Sequence, residues 1–309
     1  MEKEKGEEDK RSCSSSTCLW MLPEGCIAEI LSLTSPRDVC RLSLVSPSLQ
    51  SAADSDSVWE KFLPSDYQSI IAGSPTPIPD FRSLKDLYVY LSHHPILIDE
   101  GRKSFSLEKS TGKKCYFLGA RYLTIAWGDT PEYWEWTSLP ESRFLEVAQL
   151  KIVWWLEIWG TIRAGILSPM TSYAANLVYK FEDDYGFDTR QMEVSVGISG
   201  VQSENVRVAY LHPDPQFLPE FVYDELSFTP GSYNFFTQME SNWHWPEDSD
   251  SSDTPLPKLR DDGWFELELG EFFTGNEDDF IELRMQDVMT GCRKKGLIVE
   301  GIEIRPRIA

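Results

Sequence analysis

The chain has 309 residues, 41% of them apolar, enough to bury one or two ordinary cores and to set an expectation of about two domains. A net charge of −21 and a pI near 4.6 repel a phosphate backbone, so nucleic acid is disfavoured as a partner. No apolar run approaches the roughly 18 residues of a membrane span, and the N-terminus MEKEKGEEDKRS is charged where a signal peptide needs an apolar segment, so no membrane partner is expected.

Six cysteines, at 13, 18, 26, 40, 115 and 292, form no C-x-x-C pair and no regular framework, which fits reduced thiols in the cytosol or nucleus. Four histidines, His93, His94, His212 and His244, are scattered, and no Cys/His cluster has metal-ligand spacing. No metal or other cofactor is expected.

Residues 1 to about 18 are charged and then Ser-rich, with almost nothing to bury, and read as a disordered leader. From Leu22 to about Leu63 the pattern becomes helical. Pro23 suits a first turn, and Ile27, Ile30 and Leu31 make one apolar stripe. Ser35-Pro36 restarts a helix lined by Val39, Leu42 and Val45, and Ser46-Pro47 stops or redirects it. A third helix holds Val58, Trp59 and Phe62 behind the capping-type run Asp54 to Ser57. Three helices in so few residues have little surface for a core, so the unit is expected to lean on a partner or a neighbouring domain.

A connector follows over 66–112. Gly73 to Asp80 is rich in Pro and Gly and reads as a stiff turn; Phe81 to Leu91 reads as an amphipathic helix ended by His93-His94-Pro95. Ile96 to Ile98, Phe105 and Leu107 suggest short strands or an apolar latch.

From Cys115 the period becomes two. Nine runs read as strands: Cys115–Leu118, Tyr122–Ile125, Val153–Ile158, Tyr173–Phe181, Met192–Val196, Val206–Tyr210, Trp264–Leu269, Ile281–Met285 and Leu297–Ile304. Many short strands between turn signals argue for an antiparallel sandwich or jelly roll. The stretch from about Leu211 to Arg260 carries Pro, Ser and acid and reads as a mobile insertion.

Between the second and third of these runs lies the stretch WGDTPEYWEW, Trp127 to Trp136, with three indoles, a tyrosine and three carboxylates. A core strand rarely places three indoles beside Gly, Asp and Pro, because a buried indole N–H needs a partner. The stretch reads as a binding edge suited to a sugar or a peptide; one or two of its rings can equally belong to a sandwich core. Asp129, Glu132 and Glu135 are near in sequence, but paired catalytic carboxylates must flank one bond at about 5 to 10 Å, which sequence spacing cannot show. No G-x-S-x-G or Gly-rich phosphate loop occurs, and the chain reads as non-catalytic.

Two resemblances give these readings a name. LPEGCIAEILSLTSPRDVCRLSLVSPSLQSAADSDSVWEKFLP resembles an F-box, through Leu22-Pro23, Ile30-Leu31, the run Arg41 to Ser46 and Val58-Trp59. The family docks this module on the Skp-type adaptor of a cullin-based ubiquitin ligase. By that likeness Leu22, Pro23, Ile27, Ile30, Leu31, Leu42, Val45 and Trp59 would form the adaptor-facing surface and its support. Further on, Lys113 to Tyr116, Trp127-Gly128-Asp129 with Tyr133-Trp134, Pro140 to Phe144, Trp155 to Ile158, Asp262-Gly263-Trp264, Leu269 to Phe273 and Gly301 to Pro306 resemble the phloem protein 2, or Nictaba-type, lectins. Together they resemble the plant F-box proteins of the phloem protein 2 B group.

The resemblance implies an α+β multidomain chain. A three-helix F-box over 19–65 and the connector would precede an antiparallel, jelly-roll-like β-sandwich lectin domain over 113–309. It also implies metal-free binding of N-acetylglucosamine oligomers or N-glycans through Trp127, Trp134 and an acid at Asp287, while Trp136 can equally be packing. Phe280 stands where the family lectins carry a further acid. The implied function is substrate recognition for a ubiquitin ligase in the nucleus and cytoplasm, with a glycan-bearing target or, alternatively, a protein surface in place of the sugar.

Overall fold

The computed structural model describes residues 22–187, 191–201, 206–212, 255–287 and 292–308. The expected leader and the acidic run from Glu247 to Asp253 lie outside these residues. So does most of the expected insertion.

The helical segment has four short helices in place of the three expected: α1 Glu24–Ser32, α2 Pro36–Leu42, α3 Pro47–Ala53 and α4 Asp56–Phe62. The added helix is α3, because Ser46-Pro47 starts a helix as well as ending one. The Ser46 hydroxyl accepts the Leu49 N–H at 3.3 Å and Pro47 occupies the first turn. Ser35 caps α2 in the same way, accepting the Asp38 N–H at 3.1 Å. The approach to Pro47 also ends α2 at Leu42, so Val45 lies on the turn after it and lines no helix. Ile27, Leu31, Val39, Leu49, Val58 and Trp59 fill the interior, and the Trp59 indole N–H donates to the Ala53 carbonyl at 2.6 Å.

In the connector, α5 spans Tyr67–Ala72 and α6 spans Leu84–His93, the second close to the expected helix. Leu87, Tyr88 and Leu91 on α6 are buried. The Tyr88 ring lies 5.1 Å from that of Trp59, and its hydroxyl donates to the carbonyls of Glu108 and Lys109 at 3.2 Å each. Gly112, at φ +73°, completes the same turn; a Cβ there would come within 2.7 Å of the Phe62 carbonyl oxygen. The helices and the sheets therefore share one buried cluster.

Each of the nine expected runs overlaps a strand, but three begin later than expected: Tyr122 closes a 3-10 turn before the strand at Thr124, Val153 to Trp155 precede the strand that starts at Leu156, and Trp264 precedes the one that starts at Phe265. In chain order the strands are β1 Ile96–Ile98, β2 Lys103–Leu107, β3 Lys114–Gly119, β4 Thr124–Ile125, β5 Trp134–Thr137, β6 Val147–Leu150 and β7 Leu156–Arg163. They continue as β8 Ser172–Tyr185, β9 Gln191–Ile198, β10 Val206–Tyr210, β11 Lys258–Leu259, β12 Phe265–Phe273, β13 Phe280–Asp287 and β14 Lys295–Pro306. A nine-stranded antiparallel sheet runs β1-β2-β3-β14-β8-β12-β11, with β6 also on β14 and β5 on β6. A five-stranded antiparallel sheet runs β10-β9-β13-β7-β4. The connector's last residues thus join the larger sheet as β1 and β2. The short strands β5, β6 and β11 escape the period-two reading because two to four residues carry too little pattern.

The two sheets meet face to face. Gly160 on β7 faces Leu118 and Ile302 of the larger sheet, and Gly270, beside a bulge in β12, faces Val196 of the smaller one. Any side chain at Gly270 would meet Val196 at 2.9 Å, so glycine permits the close approach. Burial alternates along β13 and along the first seven residues of β7, which leaves Glu157, Trp159, Thr161, Glu282, Arg284 and Gln286 on the outer face of the smaller sheet.

Candidate functional site

The helical face expected to meet an adaptor divides into support and surface. Ile27, Leu31 and Trp59 are buried and hold the helices together, and Leu42 is half-buried. Pro23 and Ile30 are exposed, Leu22 is half-buried, and Val45 is 69% exposed on the turn after α2. Two further leucines stand in water beside them in sequence: Leu33 at the end of α1 and Leu44, 86% exposed. Exposed large apolar groups on a small helical unit mark an interaction surface. Leu33 and Leu44 are absent from the expected set because a one-dimensional stripe assigns apolar residues to the core; only the position of the helix ends turns them outward.

The loop from Ala126 to Tyr133 connects β4 to β5, and two indoles of β5 staple it. Trp134 donates its indole N–H to the Ala126 carbonyl at 3.1 Å, and Trp136 donates to Gly128 at 2.9 Å. The Trp134 ring is 2% exposed, so it offers no face to a ligand. The structure gives it the role of core and loop anchor in place of the expected sugar-stacking one. Trp136 is half-buried under the Arg121 guanidinium, 3.7 Å from the ring centre, which agrees with a packing role.

Trp127 behaves differently. Its backbone lies in the left-handed region at φ +55°, a conformation that costs energy for a bulky residue, and its side chain is 49% exposed. Beside it stand Tyr133, with ring centres 5.7 Å apart, and Trp155, 6.3 Å away and nearly perpendicular at 80°. Trp154 and Trp155 are both exposed, on the turn that leads into β7. The loop and this turn are tied together: the Lys151 N–H donates to the Tyr133 carbonyl at 2.8 Å, and the Ala126 N–H donates to the Glu157 carbonyl at 2.9 Å. Asp129, Glu132 and Glu135 of the same stretch are exposed, and Glu135 pairs with Lys151 at 3.1 Å. The result is an open aromatic surface on a stretch that also exposes carboxylates, suited to an amphipathic ligand with an apolar face and hydroxyl or amide edges.

Asp287 is not on this surface. Its side chain is 2% exposed and pairs with Lys294, itself fully buried, at 2.8 Å. A carboxylate committed to a buried ammonium has exchanged ligand contact for a structural role, which corrects the expectation that it accepts hydroxyl hydrogen bonds. Phe280 is exposed at the other end of β13, opposite Arg163, and seven residues of strand put it roughly 23 Å from Asp287. The apolar residue there is therefore remote from the Trp155 side of the cluster. Trp155 itself was legible only as part of a strand run, and its burial pattern shows why: the strand begins at Leu156, one residue later.

Among the described residues no group of His, Cys, Asp and Glu could hold a metal ion, and no helix is long and apolar enough to cross a membrane.

Comparison with known proteins gives the same two parts. The family profile for phloem protein 2 matches residues 113–306, and that for the F-box domain matches residues 19–61. F-box protein PP2-B1 of Arabidopsis thaliana is 38% identical over 318 residues, covering 96% of this chain and 93% of its own. F-box protein PP2-B10 of the same plant is 38% identical over 301 residues, covering 96% and 97%. F-box protein PP2-B15 is 40% identical over 292 residues, covering 93% and 96%. An exposed apolar face on the N-terminal helices, a lectin-like double sheet behind it and relatives that span both parts make this chain a member of the plant F-box PP2-B group.

Proposed function

We propose that this protein is a substrate receptor of a Skp-cullin-F-box ubiquitin ligase whose sandwich captures targets bearing N-acetylglucosamine oligomers or N-glycans. The F-box supports the first half: F-box domains in general dock on a Skp-type adaptor and through it a cullin. Exposed Ile30, Leu33, Leu44 and Val45 supply an apolar face for such a partner. The observation that carries the second half is Trp127, an exposed indole held in a strained backbone conformation between Tyr133 and Trp155. The protein performs no chemistry in this role; it brings the target within reach of the ligase. The free thiols of Cys26, Cys40, Cys115 and Cys292 suit a reducing, nuclear and cytoplasmic location.

A second reading has its own support. Trp134 and Asp287 are buried, and exposed Phe280, Ile198 and Val206 give the smaller sheet apolar groups that suit a protein surface. Purification of the full chain with its adaptor from plant extract, followed by glycosidase treatment, separates the two. Loss of the bound target on deglycosylation supports glycan recognition. Retention of the target supports protein recognition.

A further inference from the structure

Asp287, expected in the sugar site, is instead held in a buried ion pair with Lys294, and the pair sits directly behind the aromatic surface. The Lys294 ammonium lies 2.8 Å from Asp287 and also donates to the main-chain carbonyls of Trp154 at 3.2 Å and Cys292 at 3.1 Å. The Lys294 backbone bonds Val153 in both directions, at 3.0 and 2.8 Å. Asp287 in turn lies at the end of β13, opposite Leu156, the first residue of β7. One buried charge pair thus grips the turn Val153–Trp155 from behind, at its backbone, and leaves both indoles facing outward.

A surface turn carrying two exposed indoles has little reason to hold one geometry, since each ring gains more from burial than from water. Fixing its backbone with an ammonium buried between a carboxylate and two carbonyls is costly unless every partner is in place, and such a device specifies one arrangement more than it adds stability. The arrangement it specifies sets Trp155 at 6.3 Å and 80° from Trp127. Two indoles at right angles suit a ring that is apolar on one face and carries a substituent beside it, as an N-acetylated hexopyranose does. One indole lies under the C–H face and the other meets the acetyl methyl group.

We propose that Trp155 is the second aromatic wall of the ligand site, taking the place that the buried Trp134 cannot fill. In this scheme Asp287 and Lys294 are positioning residues that hold the Trp154–Trp155 turn against Trp127. The inference rests on the glycan reading given above.

The test titrates the full chain with N-acetylated chitotriose and, in parallel, with cellotriose, following tryptophan fluorescence, and records near-ultraviolet circular dichroism and the melting temperature. The variants are Trp155→Ala, Trp127→Ala and the pair Asp287→Leu with Lys294→Met, which removes both charges together and leaves no lone buried ion. The parent is expected to bind chitotriose in preference to cellotriose. Each single variant is expected to weaken chitotriose binding by about tenfold or more. The double variant is expected to lose the coupled indole signal and affinity together while its melting temperature stays near the parent's. Rescue of the signal by Lys294→Arg with Asp287 intact would mark positioning in place of bulk packing. A parent that binds while Trp155→Ala binds equally well overturns the proposal alone. A parent that binds neither sugar overturns the glycan reading and this proposal with it.

Discussion

Lys114, the first residue of β3, reaches back to Asp66 at the start of α5 and pairs with it at 2.8 Å, while also donating to the Ile166 carbonyl at 3.1 Å. The pair joins the helical segment to the larger sheet across a junction that Tyr88 and Gly112 also fill. In the proposed role, a target held on the sandwich would keep a fixed orientation to the N-terminal helices, which suits delivery to a ligase. Tyr88→Ala removes a buried ring against Trp59 and two hydrogen bonds to the β2–β3 turn. It is expected to lower stability by about 3–5 kcal/mol and to split one cooperative unfolding transition into two, as followed by calorimetry.

The adaptor face gives a separable outcome. Leu44→Asp with Val45→Asp puts charge on two exposed positions and is expected to abolish adaptor binding in a pull-down with no change in melting temperature. Ile27→Ala acts in the opposite way, since it opens a cavity in the helical core and is expected to cost about 2–5 kcal/mol, measured by denaturant unfolding.

Trp127 and Trp134 are seven residues apart and are expected to respond oppositely to truncation. Trp134→Ala removes a buried indole and the staple to Ala126, with an expected loss of about 3–5 kcal/mol in stability. Trp127→Ala relieves a left-handed backbone position of a bulky side chain and leaves the melting temperature unchanged or slightly higher. Differential scanning fluorimetry distinguishes the two.

Burial, with the nearby Glu303 carboxylate, pushes the Cys115 thiol up to about 12, and burial also raises the hydroxyls of Tyr116 and Tyr179. These groups keep their protons in the folded chain at pH values where the unfolded chain has released them. Their contribution is intact below about pH 9 and is lost as pH rises towards 12, so stability is expected to fall across that window. At pH 8 a thiol reagent is expected to label the exposed Cys26 and Cys40 first and Cys115 only after unfolding, as read by mass spectrometry of the peptides.

The parts of this fold legible in the sequence are those where one local rule decides. Ser35-Pro36 makes a cap and a first turn whatever surrounds it, and the alternation in Phe265 to Leu269 makes a strand with one buried face. The site was legible as a composition, three indoles in ten residues, but the division of labour among them was not. Whether Trp134 points inward depends on β5 pairing with β6 and on a carbonyl at Ala126 waiting for its N–H, and neither is written in the local pattern. Trp154 and Lys294 were hidden for a related reason: they meet across 140 residues of chain, beside the bridge between Val153 and Lys294.

The most direct measurement of the account is a sugar-affinity experiment on the full chain bound to its Skp-type adaptor. Loaded on a chitooligosaccharide resin, the chain is expected to be retained with the adaptor and both to be released by free sugar. Trp127→Ala is expected to lose both proteins from the resin, and Leu44→Asp with Val45→Asp to lose the adaptor alone. A parent complex that passes through unretained, or a Trp127→Ala complex retained as well as the parent, contradicts the account.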